Sequence, residues 1–245
     1  MDIILLSILF PFRLTIFASI HLLSLCVPKW FIQQYSTEIN CILLLMLGLK
    51  LNQTLDYRKQ LVNPQIIVFQ HRSYADAYIM NYINGPTSFV YRDVLNSNIF
   101  VRYFIEKFGG VSVSSSMKGQ SSQIFEFLRD TNKTLAIAPE DISDIPNRVL
   151  TNNKLGVFRT GAFVPLLPVQ PILINFYDNN AIWRNYKDNS VPETMIYWIF
   201  RRLFSYVSYF DVYLLEECYP SIQHTPQMYR EHVRNNMLYY VENFI

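Results

Sequence analysis

Residues 66–76 read Ile66-Ile67-Val68-Phe69-Gln70-His71-Arg72-Ser73-Tyr74-Ala75-Asp76, and the fold turns on the change of pattern inside this stretch. Four consecutive apolar residues, three of them β-branched, mark a buried strand. A polar turn follows, and then a stretch from about Tyr74 to Asn84 with helical spacing, closed by Gly85-Pro86. A strand that feeds directly into a helix is the building unit of an α/β domain. The same alternation recurs outward from this point. Strands are expected at Thr134 to Ala138 and Val169 to Ile174, and helices at about Gly119 to Arg129, Pro192 to Ser205 and Pro226 to Phe244. Between them, Pro139 to Asn153 is rich in Asp, Asn, Pro and Thr and reads as a long loop after a buried strand.

Composition narrows the setting. Of 245 residues 51% are hydrophobic and only 16% charged, against roughly 25% charged in an ordinary soluble domain, so part of the surface is expected to meet lipid. The net charge of +2 comes from 21 basic and 19 acidic residues with no basic run, which argues against nucleic acid as a partner. Cys26, Cys41 and Cys218 lack metal-ligand spacing, so neither zinc nor disulfides are expected. Residues Ile3 to Val27 are almost continuously apolar, longer than the roughly 20 residues that a spanning helix needs. Pro11, Arg13 and His21 interrupt that run, and a central arginine costs about 2.5–3.5 kcal/mol on insertion scales. Ile39 to Leu49 is too short to cross alone. The expectation is a membrane-attached helical segment over 1–50, lying in one leaflet or spanning once through residues 3–49, followed by one α/β domain over 51–245.

The chemistry-bearing residues cluster where the strand meets the helix. His71 and Asp76 are five positions apart, about 140° around a continuous helix, so they can cooperate only if His71 precedes the helix and Asp76 lies in its first turns. The carboxylate can then hold one imidazole nitrogen while the other faces a substrate, the base-plus-orienter arrangement of acyl transfer. Pro139-Glu140-Asp141 follows the strand ending at Ala138, and strand C-terminal ends are where α/β sheets bind ligands. Farther on come Phe158-Arg159-Thr160-Gly161-Ala162-Phe163 and the strand beginning Pro168-Val169-Gln170-Pro171. A serine hydrolase using a residue of Ser114-Ser115-Ser116 is a rival, although the sequence has no Gly-x-Ser-x-Gly elbow.

In this order the blocks resemble the lysophospholipid and glycerolipid acyltransferase superfamily. His71, Ser73 and Asp76 match its His-x4-Asp motif, Gly109 to Val113 part of a second block, Pro139-Glu140 part of a third, and Pro168 to Pro171 a Pro-rich fourth. Phe10-Pro11-Phe12-Arg13 is similar to the N-terminus of the lysophosphatidylcholine and lysophosphatidylethanolamine acyltransferase branch. The resemblance implies a central mixed sheet flanked by helices. It also implies transfer of a fatty acyl group from acyl-CoA, as co-substrate, to a lysophospholipid or lysophosphatidic acid, in phospholipid synthesis or remodelling. His71 would be the base and Asp76 the orienting carboxylate, with Ser73, Glu140 and Gly161 as substrate-binding residues and Lys118, Arg92 and Arg159 as candidate substitutes, in substrate binding, for an arginine that the family usually carries and this chain lacks. No metal, further cofactor or obligate protein partner is implied; membrane lipids are, at the endoplasmic reticulum in a eukaryotic cell. The chain departs from the pattern at Gln70, where Asn is usual, at Ser112 to Ser115, where an arginine is usual, and at Asp141-Ile142, where Gly-Thr is usual. These changes leave open how an acceptor phosphate is held, and they motivate a second alternative, a non-catalytic lipid-binding descendant.

Overall fold

The computed structural model describes residues 2–58, 65–92, 110–113, 117–131, 133–140, 155–182 and 194–244. Along the chain the described elements are α1 (Asp2–Cys26), α2 (Lys29–Gln34), α3 (Ser36–Met46), β1 (Leu49–Asp56), β2 (Ile66–Phe69), α4 (Asp76–Asn84), β3 (Ser88–Arg92) and β4 (Gly110–Val113). They continue with α5 (Met117–Thr131), β5 (Leu135–Ile137), β6 (Val169–Phe176), α6 (Met195–Leu203), β7 (Ser208–Leu214) and α7 (Pro226–Phe244). The strands form one seven-stranded sheet in the order β1-β7-β6-β2-β5-β3-β4. Within it β6, β2, β5, β3 and β4 run parallel to one another. Strand β2 is therefore central and buried on both faces, which is why it reads as an unbroken apolar run.

The chain divides into two compact units, one of Met1–Gln53, Arg72–Pro86 and Phe176–Asp211, the other of Thr54–His71, Thr87–Asn175 and Val212–Ile245. In the second unit, Ile66, Val68, Leu135, Ile137, Val169 and Leu173 supply the strand side of the core. Ile124 and Leu128 of α5 pack there, as do Tyr229, Val233, Met237 and Val241 of α7. Both helices use an i, i+4 stripe, so each buries one side.

The first unit is built around helices. Although Pro11 and Arg13 interrupt the apolar run, α1 runs unbroken, with Pro11 exposed inside it. Its inward stripe is Leu6, Arg13, Phe17 and Ser24. Arg13 is tolerated because its guanidinium donates to the carbonyls of Leu203, the last residue of α6, and of Ser205 just beyond it. The His21 Nδ1–H donates to the Phe17 carbonyl one turn back, and Nε2 lies 3.2 Å from the Tyr78 hydroxyl.

A second arginine acts in the opposite direction. Arg202 of α6 is completely buried and donates from Nε to the Leu47 carbonyl at 3.1 Å and from Nη2 to the Gly48 carbonyl at 2.9 Å. These carbonyls lie just past the last residue of α3, where the helix supplies no donor; that of Gly48 also accepts from the Ser208 N–H at 2.7 Å. Burial pushes the Arg202 guanidinium down to about 10, so it stays charged at neutral pH, with the Asp178 carboxylate 3.8 Å away. Gly48, at φ +66°, sits between the two arginines; a Cβ there would lie 3.0 Å from the Tyr206 carbonyl oxygen and 3.4 Å from a guanidinium nitrogen of each. Only glycine meets both the backbone angle and the space.

Candidate active site

His71 lies two residues beyond the last residue of β2, and Asp76 is the first residue of α4, so the histidine sits in the strand-to-helix turn. In the second unit the parallel register pairs Val68 of β2 with Ile137 of β5. Three residues past each lie His71 and Glu140. The two meet: the backbone N–H of His71 donates to Glu140 Oε2 at 3.3 Å. Glu140 is only 5% exposed, and its other oxygen accepts from the Gly156 N–H at 3.0 Å. One carboxylate thus holds the end of β2 and the segment that returns at residue 156. A bridge between Glu140 and Phe158 and a bond from the Arg159 N–H to the Pro139 carbonyl at 2.6 Å align the same two segments. The His71 ring stands edge-on to Phe69, with centroids 6.1 Å apart.

From its far side, α7 fixes that returning segment. Arg234 donates to the Gly156 carbonyl at 2.8 Å and the Leu155 carbonyl at 3.3 Å, and Arg230 to the Thr160 hydroxyl at 3.3 Å. Arg159 precedes a short 3-10 turn, Thr160–Phe163, that contains Gly161. Phe158 and Phe163 stack at 6.2 Å, and Phe163 meets Tyr229 edge-on at 5.9 Å. The apolar positions of the Phe-Arg-Thr-Gly-Ala-Phe stretch are core, leaving Arg159 and Gly161 partly exposed.

In the first unit the turn after His71 closes on Asp76. Its Oδ2 accepts from the N–H of Arg72 at 2.8 Å and of Ser73 at 3.0 Å, and the residue is 1% exposed. A carboxylate accepting two backbone N–H groups is a strong, charge-assisted anchor, and its negative charge also suits the start of α4. Ser73 is fully buried. Its hydroxyl donates to the Ala181 carbonyl at 2.8 Å and accepts from the Ala75 N–H at 3.2 Å. The indole N–H of Trp198 reaches the same carbonyl at 3.3 Å. Ser73 is thereby a brace of the turn.

Of the residues singled out in the sequence, the structure joins His71 to Glu140 directly and places Arg159 and Gly161 on the segment Glu140 holds. Arg92 ends β3 and Lys118 lies in the first turn of α5. Asp141, Ile142, Gly109 and Ser114 to Ser116 fall outside the described residues. Among the described residues no group of three His, Cys, Asp or Glu could hold a metal ion. Gly156, Arg230 and Arg234 were not legible as site residues, because no motif marks them and their roles come from the packing of α7.

Residues 52–174 match the family model described as acyltransferase. The chain shares its fold with the 1-acyl-sn-glycerophosphate (LPA) acyltransferase PlsC from Thermotoga maritima, at a TM-score of 0.55 and 13% identity, with 99% of this chain and 97% of that one covered. No curated protein matches the sequence.

Proposed function

This chain belongs to the acyltransferase family, and from that premise we propose that it moves a fatty acyl group from acyl-CoA to the free hydroxyl of a lysophospholipid, or of lysophosphatidic acid, in phospholipid synthesis or remodelling. His71 is the general base and Asp76 the carboxylate that sets its tautomer and stabilises the imidazolium. The imidazole takes the acceptor's hydroxyl proton as the oxygen attacks the thioester carbonyl. The C–S bond then breaks, and the coenzyme A thiolate leaves with the proton returned by the imidazolium. No acyl-enzyme and no metal enter this scheme. Ser73 and Glu140 are positioning residues in it, and Arg159, Gly161, Arg92 and Lys118 belong to the binding of the anionic substrates. Attachment to the membrane through residues 3–49 is part of the same reading, since acceptor and product both reside in lipid.

The observation that carries it is the buried Asp76 carboxylate, around which the two residues directly after His71 fold. The test is acyl transfer by purified protein in liposomes, with labelled oleoyl-CoA and a panel of lysolipids. His71→Ala and Asp76→Asn are each expected to reduce turnover by about 10²–10⁴-fold, with thermal unfolding of His71→Ala unchanged. Full activity in His71→Ala would remove the histidine from the mechanism. Folded, lipid-bound protein that acylates no acceptor would favour the non-catalytic lipid-binding alternative.

A further inference from the structure

Helix α1 has the reverse polarity of a helix that packs on a core and faces water. Leu5, Ile8, Phe12, Leu22 and Leu23 are exposed, Phe12 by 60%, while Arg13 and Ser24 are buried. Leu5–Cys26 is long and apolar enough to cross a membrane. The position of Arg13 argues for another arrangement. It is bonded to the carbonyls of Leu203 and Ser205, at the start of a non-helical turn whose Tyr206 and Val207 are exposed. Irregular backbone is not tolerated in hydrocarbon unless protein shelters it. An upright α1 would carry that exposed turn to membrane depth. Lying along the surface, α1 keeps the turn at the level of the headgroups, where aromatic side chains are favoured.

Helix α6 continues the same exposed surface. Ile196, Tyr197, Phe200 and Phe204 are all exposed, Ile196 by 67%, and their i, i+1, i+4, i+8 spacing places them on one side of the helix. Trp198 and Arg202, on the other side, are fully buried. Phe10 of α1 joins the two helices, with its ring 6.2 Å from that of Phe200 and 5.7 Å from that of Phe204. We infer that the Ile196–Phe204 stripe of α6, with Tyr206, is a second lipid-contacting element, contiguous with the outer side of α1, and that the two rest together on one leaflet of a bilayer. The occupant is lipid because both elements expose apolar and aromatic side chains, and because the unit turns its arginines inward. This inference goes beyond the proposed chemistry and stands apart from it, since its readouts are lipid contact and not acyl transfer.

The test uses the full chain with dioleoylphosphatidylcholine vesicles. A photoreactive benzoylphenylalanine is placed at Phe200, at Phe12, and at the exposed Tyr239 of α7 as a negative control. Phospholipid adducts are expected from positions 200 and 12 and not from 239. In vesicle flotation, Ile196→Glu and Phe200→Glu are each expected to weaken partitioning roughly tenfold, with the thermal transition unchanged in Ile196→Glu, whose side chain is 67% exposed. Lipid adducts at 12 and none at 200 would overturn the inference, as would a protein–protein adduct at 200, which would make the stripe an interface between copies.

Discussion

The junction of α3 with α6 and the loops beyond β2 and β5 present the same problem with opposite sign. At the first, helix ends present backbone carbonyls that two buried guanidinium groups bind: Arg202 those of Leu47 and Gly48, the latter shared with the Ser208 N–H, and Arg13 those of Leu203 and Ser205. At the second, strand ends leave N–H groups without acceptors, and one buried carboxylate, Glu140, takes those of His71 and Gly156. A buried charge is tolerable only when it is hydrogen-bonded, and each of these carries at least two such bonds. The difference is instructive. Cations fixed inward onto carbonyls leave the outer sides of α1 and α6 apolar, whereas a carboxylate fixed onto His71's own N–H occupies that donor, so the proposed mechanism must draw its oxyanion donors from other N–H groups.

Four substitutions probe this contrast, beginning where the loss is greatest. Arg202→Met leaves the Leu47 carbonyl without its donor, the Gly48 carbonyl with the Ser208 N–H alone and Asp178 without its cation, and is expected to cost about 3–5 kcal/mol in chemical unfolding; a loss under about 1 kcal/mol would mean that the Leu47 carbonyl finds another partner and that the charge is dispensable. Glu140→Ala orphans two N–H groups and is expected to cost about 2–4 kcal/mol. Glu140→Gln keeps one acceptor and should fall between that and the parent. Were the glutamine variant as stable as the parent, shape and not charge would hold the loops, and the opposition of sign would fail. Gly48→Ala forces a left-handed backbone and a 3.0 Å contact with the Tyr206 carbonyl oxygen, and should cost about 1–2 kcal/mol. A neutral result would show that the arginine junction has room to shift.

Much of this frame is legible in the sequence, because periodicity survives wherever an element buries one side. The strand at 66–69, the helix closed by Gly85-Pro86 and the last helix, Pro226–Phe244, lie where their residues predict. Strand β1 escapes notice because Lys50, Asn52, Gln53 and Thr54 make it polar; among its residues only Leu49 is buried. Strand β7 escapes because its aromatic residues continue the pattern of α6, and alternation cannot show where one ends. The turn position of His71 follows from the rotation between residues 71 and 76. The bond from the His71 N–H to Glu140, 69 residues later, does not, because it depends on the parallel register of two strands, in which Val68 stands opposite Ile137. Arg13 reads as a flaw in an apolar helix until the carbonyls past α6, 190 residues later, are seen to receive it.

The distances along the chain between these partners also set an order in time. Arg202 follows Leu47 by 155 residues, and synthesis proceeds at about 5–20 residues per second. Helices α1 to α3 are therefore complete roughly 8–30 s before the side chain that caps α3 has been made. Through that interval the Leu47 and Gly48 carbonyls and the Arg13 guanidinium have only water or lipid headgroups as partners. Only when α6 has been made can Arg202 reach the end of α3 and the Leu203 and Ser205 carbonyls receive Arg13.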